Sequence, residues 1–257
     1  LPKLNAIKIT DIDPSSILYF PSPTPGAPNI AATNNIGGPV TISPPGGTFN
    51  TAQSVTLTSS TPASQIRYTT DGTVPAVSSP LYSAPLNLSA STRIRARTFT
   101  ADSSPGPVSS ESYFRLEADL QSFTSDLPIV VLDNFGSGGF PGPGSSFQPM
   151  VMAVFDPQTN GRSALTNAPQ LITRGGSHTR GSSTAGQSKP NLRIETWGEI
   201  DNEDKAVDLL DFPKESDFIL YAPYDFDRAF MRNAFMYHLS NQVGQYAVRT
   251  RFVEVFA

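Results

Sequence analysis

The first half of the chain alternates. Val55 and Leu57 are separated by Thr56 and flanked by Thr58, and Ile66 and Tyr68 alternate with Arg67 and Thr69. A period of two places such residues on opposite faces of a strand. In Thr92-Arg-Ile-Arg-Ala-Arg-Thr-Phe99 the same period puts Ile94, Ala96 and Thr98 on one face and Arg93, Arg95 and Arg97 on the other. The arginine face is expected to be a solvated sheet surface, with binding of an acidic partner or a sugar as the functional alternative. Val40-Thr-Ile42 precedes the turn Pro44-Pro-Gly-Gly47, and Asp71-Gly72 is a strong tight-turn signal. Residues 40–115 therefore predict a small all-β sandwich.

The second half mixes patterns. Leu127-Pro-Ile-Val-Val-Leu132 is too short for a helix and predicts a buried strand, and Met150-Val-Met-Ala-Val-Phe155 predicts the next, ended by Asp156-Pro157. Between them, residues 136–144 are a glycine- and proline-rich loop. Val207–Leu210 and Phe218–Tyr221 flank a turn containing Pro213. Met231, Phe235, Leu239 and Val243 recur at four-residue steps, which predicts a helix from near Arg228 with its stripe in the core. Asp225 or Asp227 is placed to cap it and Gly244 to stop it. Arg249–Phe256 alternates like a strand.

Composition narrows the function classes. The 257 residues carry 18 Lys and Arg against 22 Asp and Glu, a net charge of −4. A mildly acidic chain lacks the basic footprint that nucleic-acid binding requires. No apolar run is long enough to span a bilayer. With no cysteine, disulfides, zinc–thiolate sites and thiol nucleophiles are excluded together. The 24 prolines and 19 glycines favour short strands and turns over long helices. Ile17-Leu-Tyr-Phe20 followed by Pro21-Ser-Pro-Thr-Pro-Gly-Ala-Pro28 reads as an edge strand and a stiff spacer over residues 1–29, and residues 30–39 as a linker. Residues 116–126 connect the sandwich to the domain that opens at Leu127. The chain begins without a signal-like segment and stops inside an alternating pattern, so both ends are expected to be cut.

The most informative chemistry lies between Leu171 and Glu195. A strand is expected to enter a Gly/Ser/Thr loop carrying Arg174 and Arg180, and a strand carrying Lys189 to leave it. Glycines let backbone amides approach an anion while Arg and Lys supply charge. A plain surface loop is the competing reading, because the loop matches neither a Walker motif nor a dinucleotide fingerprint. His178 sits near Ser177, Ser182 and Ser183 without the Gly-x-Ser-x-Gly elbow of a hydrolase. His238 falls beside the helical stripe, and two lone histidines do not make a zinc site. Asp201-Asn-Glu-Asp204 lacks the spacing of a calcium loop and reads as a solvated acidic turn. Trp197, Tyr19, Tyr68 and Tyr82 are candidates for sugar stacking, although Tyr68 and Tyr82 fall where the sandwich wants core residues.

Three resemblances follow from these residues. Ile66-Arg-Tyr-Thr-Thr-Asp-Gly72, Ser79-Pro-Leu-Tyr82, Pro85-Leu86 and Thr92-Arg-Ile-Arg-Ala96 resemble the C-terminal β-sandwich of chitobiases and hexosaminidases, a fibronectin-III-like module that is often an accessory. Phe20-Pro-Ser-Pro-Thr-Pro-Gly-Ala-Pro-Asn29 resembles the closing phrase of lamin-tail-like domains. Residues 127–257 resemble the N-terminal half of the spore-coat CotH family of atypical kinases. That resemblance rests on Arg180-Gly-Ser-Ser-Thr184 with Lys189, Leu209-Leu-Asp-Phe-Pro213 with Asp217-Phe-Ile-Leu220, Asp227-Arg-Ala-Phe-Met-Arg-Asn233, and Phe252-Val-Glu-Val-Phe256. The expected fold class is mainly β with an α+β part: a fibronectin-III-like sandwich followed by a partial kinase-like domain.

The CotH resemblance implies ATP and a divalent metal for a complete domain, with Lys189 at the nucleotide phosphates and Arg180 beside the same loop. Asp211 stands where the family has glycine, and the family's lysine pair is reduced to one. The family's catalytic and metal-binding aspartates fall beyond the last residue here, so these 257 residues are expected to lack kinase activity. Three functions stay open. The favoured one is a structural or interaction role within a secreted, multidomain bacterial surface protein. The others are part of an active secreted kinase acting on a surface or coat protein, and a carbohydrate-associated accessory module. Expected partners are other domains of the same polypeptide and surface proteins, coat proteins or glycans, at the cell surface or outside the cell.

Overall fold

In the computed structural model the described residues are 36–101, 104–223 and 227–257. The proline-rich spacer, the lamin-tail-like phrase, Tyr19 and the capping candidate Asp225 lie outside them. The fold is mostly strand, as the alternation and the density of turn residues require. No helix among the described residues is long and apolar enough to cross a membrane.

The alternating first half forms β1 (Val40–Ser43), β2 (Gly47–Phe49), β3 (Gln53–Ser59), β4 (Gln65–Thr69), β5 (Leu86–Leu88), β6 (Thr92–Phe99) and β7 (Pro105–Arg115). They make two sheets, β1-β3-β5 and β2-β7-β6-β4, the composition expected of a small sandwich. The second half forms β8 (Thr124–Ser125), β9 (Ile129–Asp133), β10 (Gln148–Phe155), β11 (Ser163–Ala164), β12 (Leu171–Arg180), β13 (Asn191–Thr196), β14 (Asp217–Leu220), one helix α1 (Arg232–Gln242) and β15 (Glu254–Phe256).

The chain divides into two compact units. The first gathers the described residues of Leu1–Ser43, Thr56–Pro85 and Ile94–Ser109. Here β1 runs antiparallel to β3 with Ile42 opposite Leu57, and β4 antiparallel to β6 with Tyr68 opposite Ala96. Ile94 and Ala96 are fully buried, as the period of two requires. The arginine face is only partly solvated, with Arg95 buried and Arg93 and Arg97 half-buried, which corrects the sequence expectation. Arg95 is 2% exposed and donates to the carbonyl of Gly72 at 2.8 Å. Arg67 donates to the carbonyl of Ser79, and Arg97 to that of Gly106. Burial pulls the Arg97 guanidinium below its ordinary pKa. Loop carbonyls need donors once they leave water, and long guanidinium stems reach them. Tyr68 and Tyr82 meet edge to face at 6.5 Å and are half-buried rather than central.

The second unit holds Pro44–Val55, Leu86–Arg93 and Ser110–Ala257. Its frame is a six-stranded sheet in the order β14-β13-β12-β10-β9-β15. Neighbours are antiparallel except β15, which joins β9 in parallel with Val255 opposite Val130. Strand β10 is buried on both faces. Met150, Met152 and Val154 enter a core with Val130, Leu132, Leu192 and Ile194, whereas Val151, Ala153 and Phe155 enter a second core with Phe114, Ile129 and Leu165. That explains a continuous apolar run in place of alternation.

Candidate functional site

Strand β12 continues through His178 to Arg180, beyond the point where the glycines predicted a loop. Gly175 and Gly176 are strand residues because neighbours crowd them: a Cβ on Gly176 would fall 2.3 Å from the Trp197 ring, and one on Gly175 2.3 Å from the Glu195 carbonyl oxygen. The connection is therefore residues 181–190. Lys189 lies in it, two residues before β13 begins, rather than on the departing strand.

Arg180 closes β12 opposite Asn191 of β13, so Arg180 and Lys189 flank one loop, and both are exposed. Gly181 turns the chain at φ +110°, and a Cβ there would meet Thr184 Oγ1 at 2.3 Å. Thr184 Oγ1 accepts from Asn191 Nδ2 at 3.2 Å, and the buried Asn191 accepts the Ala222 amide at 2.8 Å. Asn191 thus ties the loop to the segment that leads toward α1. Sequence reasoning passed over this residue, whose one signal was a polar side chain opening an apolar strand.

Asp227 and Phe230 stand just ahead of α1. Asp227 is 1% exposed, and its Oδ2 accepts the Arg232 amide at 2.9 Å, as expected of a carboxylate ahead of a helix. The Arg232 guanidinium stands 3.6 Å from Oδ1. The Phe230 amide donates to the Asp227 carbonyl, which holds Phe230 at φ +55°. Lys189 Nζ lies 5.9 Å from the Phe230 ring centroid. At an exposed site such a cation–π contact contributes about 0.5–1 kcal/mol, enough to bias the ammonium but not to sequester it. Burial, and then the charge of Asp227 and the neighbouring Tyr237, push the Tyr221 hydroxyl above its ordinary pKa.

The donor set of this loop fits a phosphate chain: an ammonium, a guanidinium and the exposed hydroxyls of Ser182 and Ser183, with no carboxylate between residues 180 and 190. ATP would supply the transferable phosphoryl group; Lys189 would meet its oxygens as a point charge and Arg180 as a fork. A divalent metal is not provided for in the same way. Asp227 is buried and engaged by Arg232, and among the described residues no three His, Asp or Glu side chains converge.

The remaining candidates fall elsewhere. Ser177 is fully buried and donates to the Arg193 carbonyl at 2.9 Å. His178 is buried against Phe147 at 4.8 Å, its Nδ1 at 2.8 Å from the Thr179 carbonyl oxygen. Both are structural. Trp197 is 3% exposed and donates to Glu195 at 2.7 Å, so it offers no stacking platform. Asp201 and Glu203 close a local turn, the Asp201 amide donating to the Glu203 carboxylate at 3.1 Å. His238 is exposed on α1 and lines a cleft of about 300 Å³ with Leu210, Asp211, Arg249 and Arg251. Leu210 and Asp211 take φ +53° and +62° at its rim, so aspartate does adopt the conformation for which glycine is the default.

With this geometry in place, the two strongest sequence resemblances have independent support. The family model described as chitobiase/beta-hexosaminidase C-terminal domain matches residues 44–110, and the one described as CotH kinase protein matches residues 178–257. A chitobiase-type sandwich stands ahead of a CotH-like, kinase-like segment, and the candidate loop lies inside that segment. No curated protein and no solved structure matches the chain.

Proposed function

We propose that the chain is a structural and interaction part of a secreted, multidomain bacterial surface protein, carrying the phosphate-facing loop of a CotH-like fold without turnover of its own. The observation that carries this reading is α1: the helix and the segment after it hold large apolar side chains in solvent, Phe235 at 54% and Met236 at 60% exposure, which is the surface of a binding element. Asp227, the buried carboxylate ahead of α1, serves helix capping and the Arg232 pair. Phosphoryl transfer depends on metal-borne charge positioned by carboxylates, and a loop of cations alone supports binding rather than transfer. The neighbouring sandwich fits an accessory role at the cell surface, with other domains of the same polypeptide, surface or coat proteins, or glycans as partners.

Incubating the chain with labelled ATP, Mg²⁺ or Mn²⁺ and a generic protein acceptor is expected to transfer no label. Metal-dependent transfer would overturn the reading in favour of a secreted protein kinase. That second reading draws on the exposed Lys189 and Arg180, and under it Lys189→Ala abolishes nucleotide binding.

A further inference from the structure

Charge is distributed unevenly over the second unit. From Arg228 to Val253 there are four arginines and His238 and not one carboxylate, in a chain whose net charge is −4. From Glu199 to Asp217 there are eight carboxylates and two lysines. The basic stretch carries the exposed apolar side chains Met231, Phe235, Leu239, Val243, Tyr246 and Val248. The acidic stretch is also exposed and presents Ile200 at 54%, with Ile219 just beyond it at 54%. Within one copy the two surfaces meet at the cleft of about 300 Å³, where Arg251 lies 3.9 Å from Asp211.

We propose that the face formed by α1 and residues 244–253 is an interface with a second copy of this chain, whose 199–217 surface supplies the matching charge and apolar contacts. This rests on the interaction reading above and names its partner. Because the two patches abut, a two-fold axis beside the Arg251–Asp211 pair lays each copy's acidic surface on the other's basic one, a self-complementary and closed arrangement. Apolar side chains supply affinity and the opposite charges supply register. A basic, apolar helix also suits an anionic membrane, but the abutting 199–217 surface with its eight carboxylates would be repelled there, whereas the basic face of a second copy pairs with it.

The test is sedimentation of the full chain at about 0.05 and about 0.5 M salt. A dimer is expected at low salt, with dissociation at least about tenfold easier at high salt. Reversing the basic side (Arg249→Glu with Arg251→Glu) or the acidic side (Asp201→Lys with Asp208→Lys) is expected to weaken self-association at least about tenfold. Mixing the two variants is expected to restore pairing, now as a heterodimer. All four positions are exposed, so folding is not at stake, and an unchanged circular dichroism spectrum checks it. A chain that stays monomeric at every concentration, or associates without regard to salt and charge reversal, overturns the proposal. So does a monomer that binds vesicles of anionic phospholipid, which assigns the face to a membrane. None of these outcomes moves the phosphotransfer assay, so the two readings fail separately.

Discussion

Strand β10 and helix α1 are built from similar apolar side chains, and the fold treats them oppositely. Met150, Met152 and Val154 are at most 2% exposed, packed against Val207 and Leu209 on one face of the sheet, while Val151, Ala153 and Phe155 are buried on the other. Phe235, Met236 and Leu239 stand 37–60% exposed on a helix with no buried residue. The difference teaches that apolar spacing specifies which side chains share a face, while burial requires a second element to lie against that face. Around β10 that part is played by Val207 and Leu209 on one face and by Phe114, Leu116 and Leu165 on the other. Around α1 no described element plays that part, and the stripe expected in the core is a surface.

The contrast can be broken most directly at β10. Met152→Ala is expected to destabilise the fold by about 2–5 kcal/mol, measured by urea unfolding, because it removes buried methylenes and leaves a cavity between packed strands. A loss below about 1 kcal/mol would mean the sheet is not closed on both faces. Next in size is Gly176→Ala in β12. Its new Cβ would meet Trp197 at 2.3 Å, and overpacking of this kind costs about 1–3 kcal/mol. A neutral outcome would show that the Trp197 ring has room to shift. The smallest effect belongs to α1: Phe235→Ala or Leu239→Ala is expected to change the stability of the monomer by no more than about 0.5 kcal/mol. If either costs as much as Met152→Ala, α1 is covered and the comparison collapses.

Much of this was legible in the chain. Strands β1, β3, β6, β9 and β10 fall where alternation or a short apolar run predicted them, and Gly72 turns at φ +86° where Asp71-Gly72 signalled a turn. Gly244, at φ +80°, ends the helical segment. The site was half legible. Arg180 and Lys189 were visible as cations around a glycine turn, whereas Asn191 and Phe230 were not, because their roles come from a hydrogen bond to Ala222 and a contact with Lys189 that join separate stretches. The arginines of β6 were misjudged for the same reason: the carbonyl of Gly72, which occupies Arg95, lies in a loop 23 residues away.

The sequence by itself determined local geometry. Period two, short apolar runs, glycine turns and the carboxylate before α1 set the elements, because steric limits on φ and ψ and the hydrogen-bond needs of helix ends act over a few residues. It also carried the motifs that link residues 44–110 and 178–257 to known families. Which cations stay exposed and which are consumed, that His178 and Ser177 are buried strand residues, and that the stripe of α1 faces water were decided only by tertiary structure. Burial and hydrogen-bond partnership depend on what lies opposite a side chain, and what lies opposite is set by strands and loops far away along the chain.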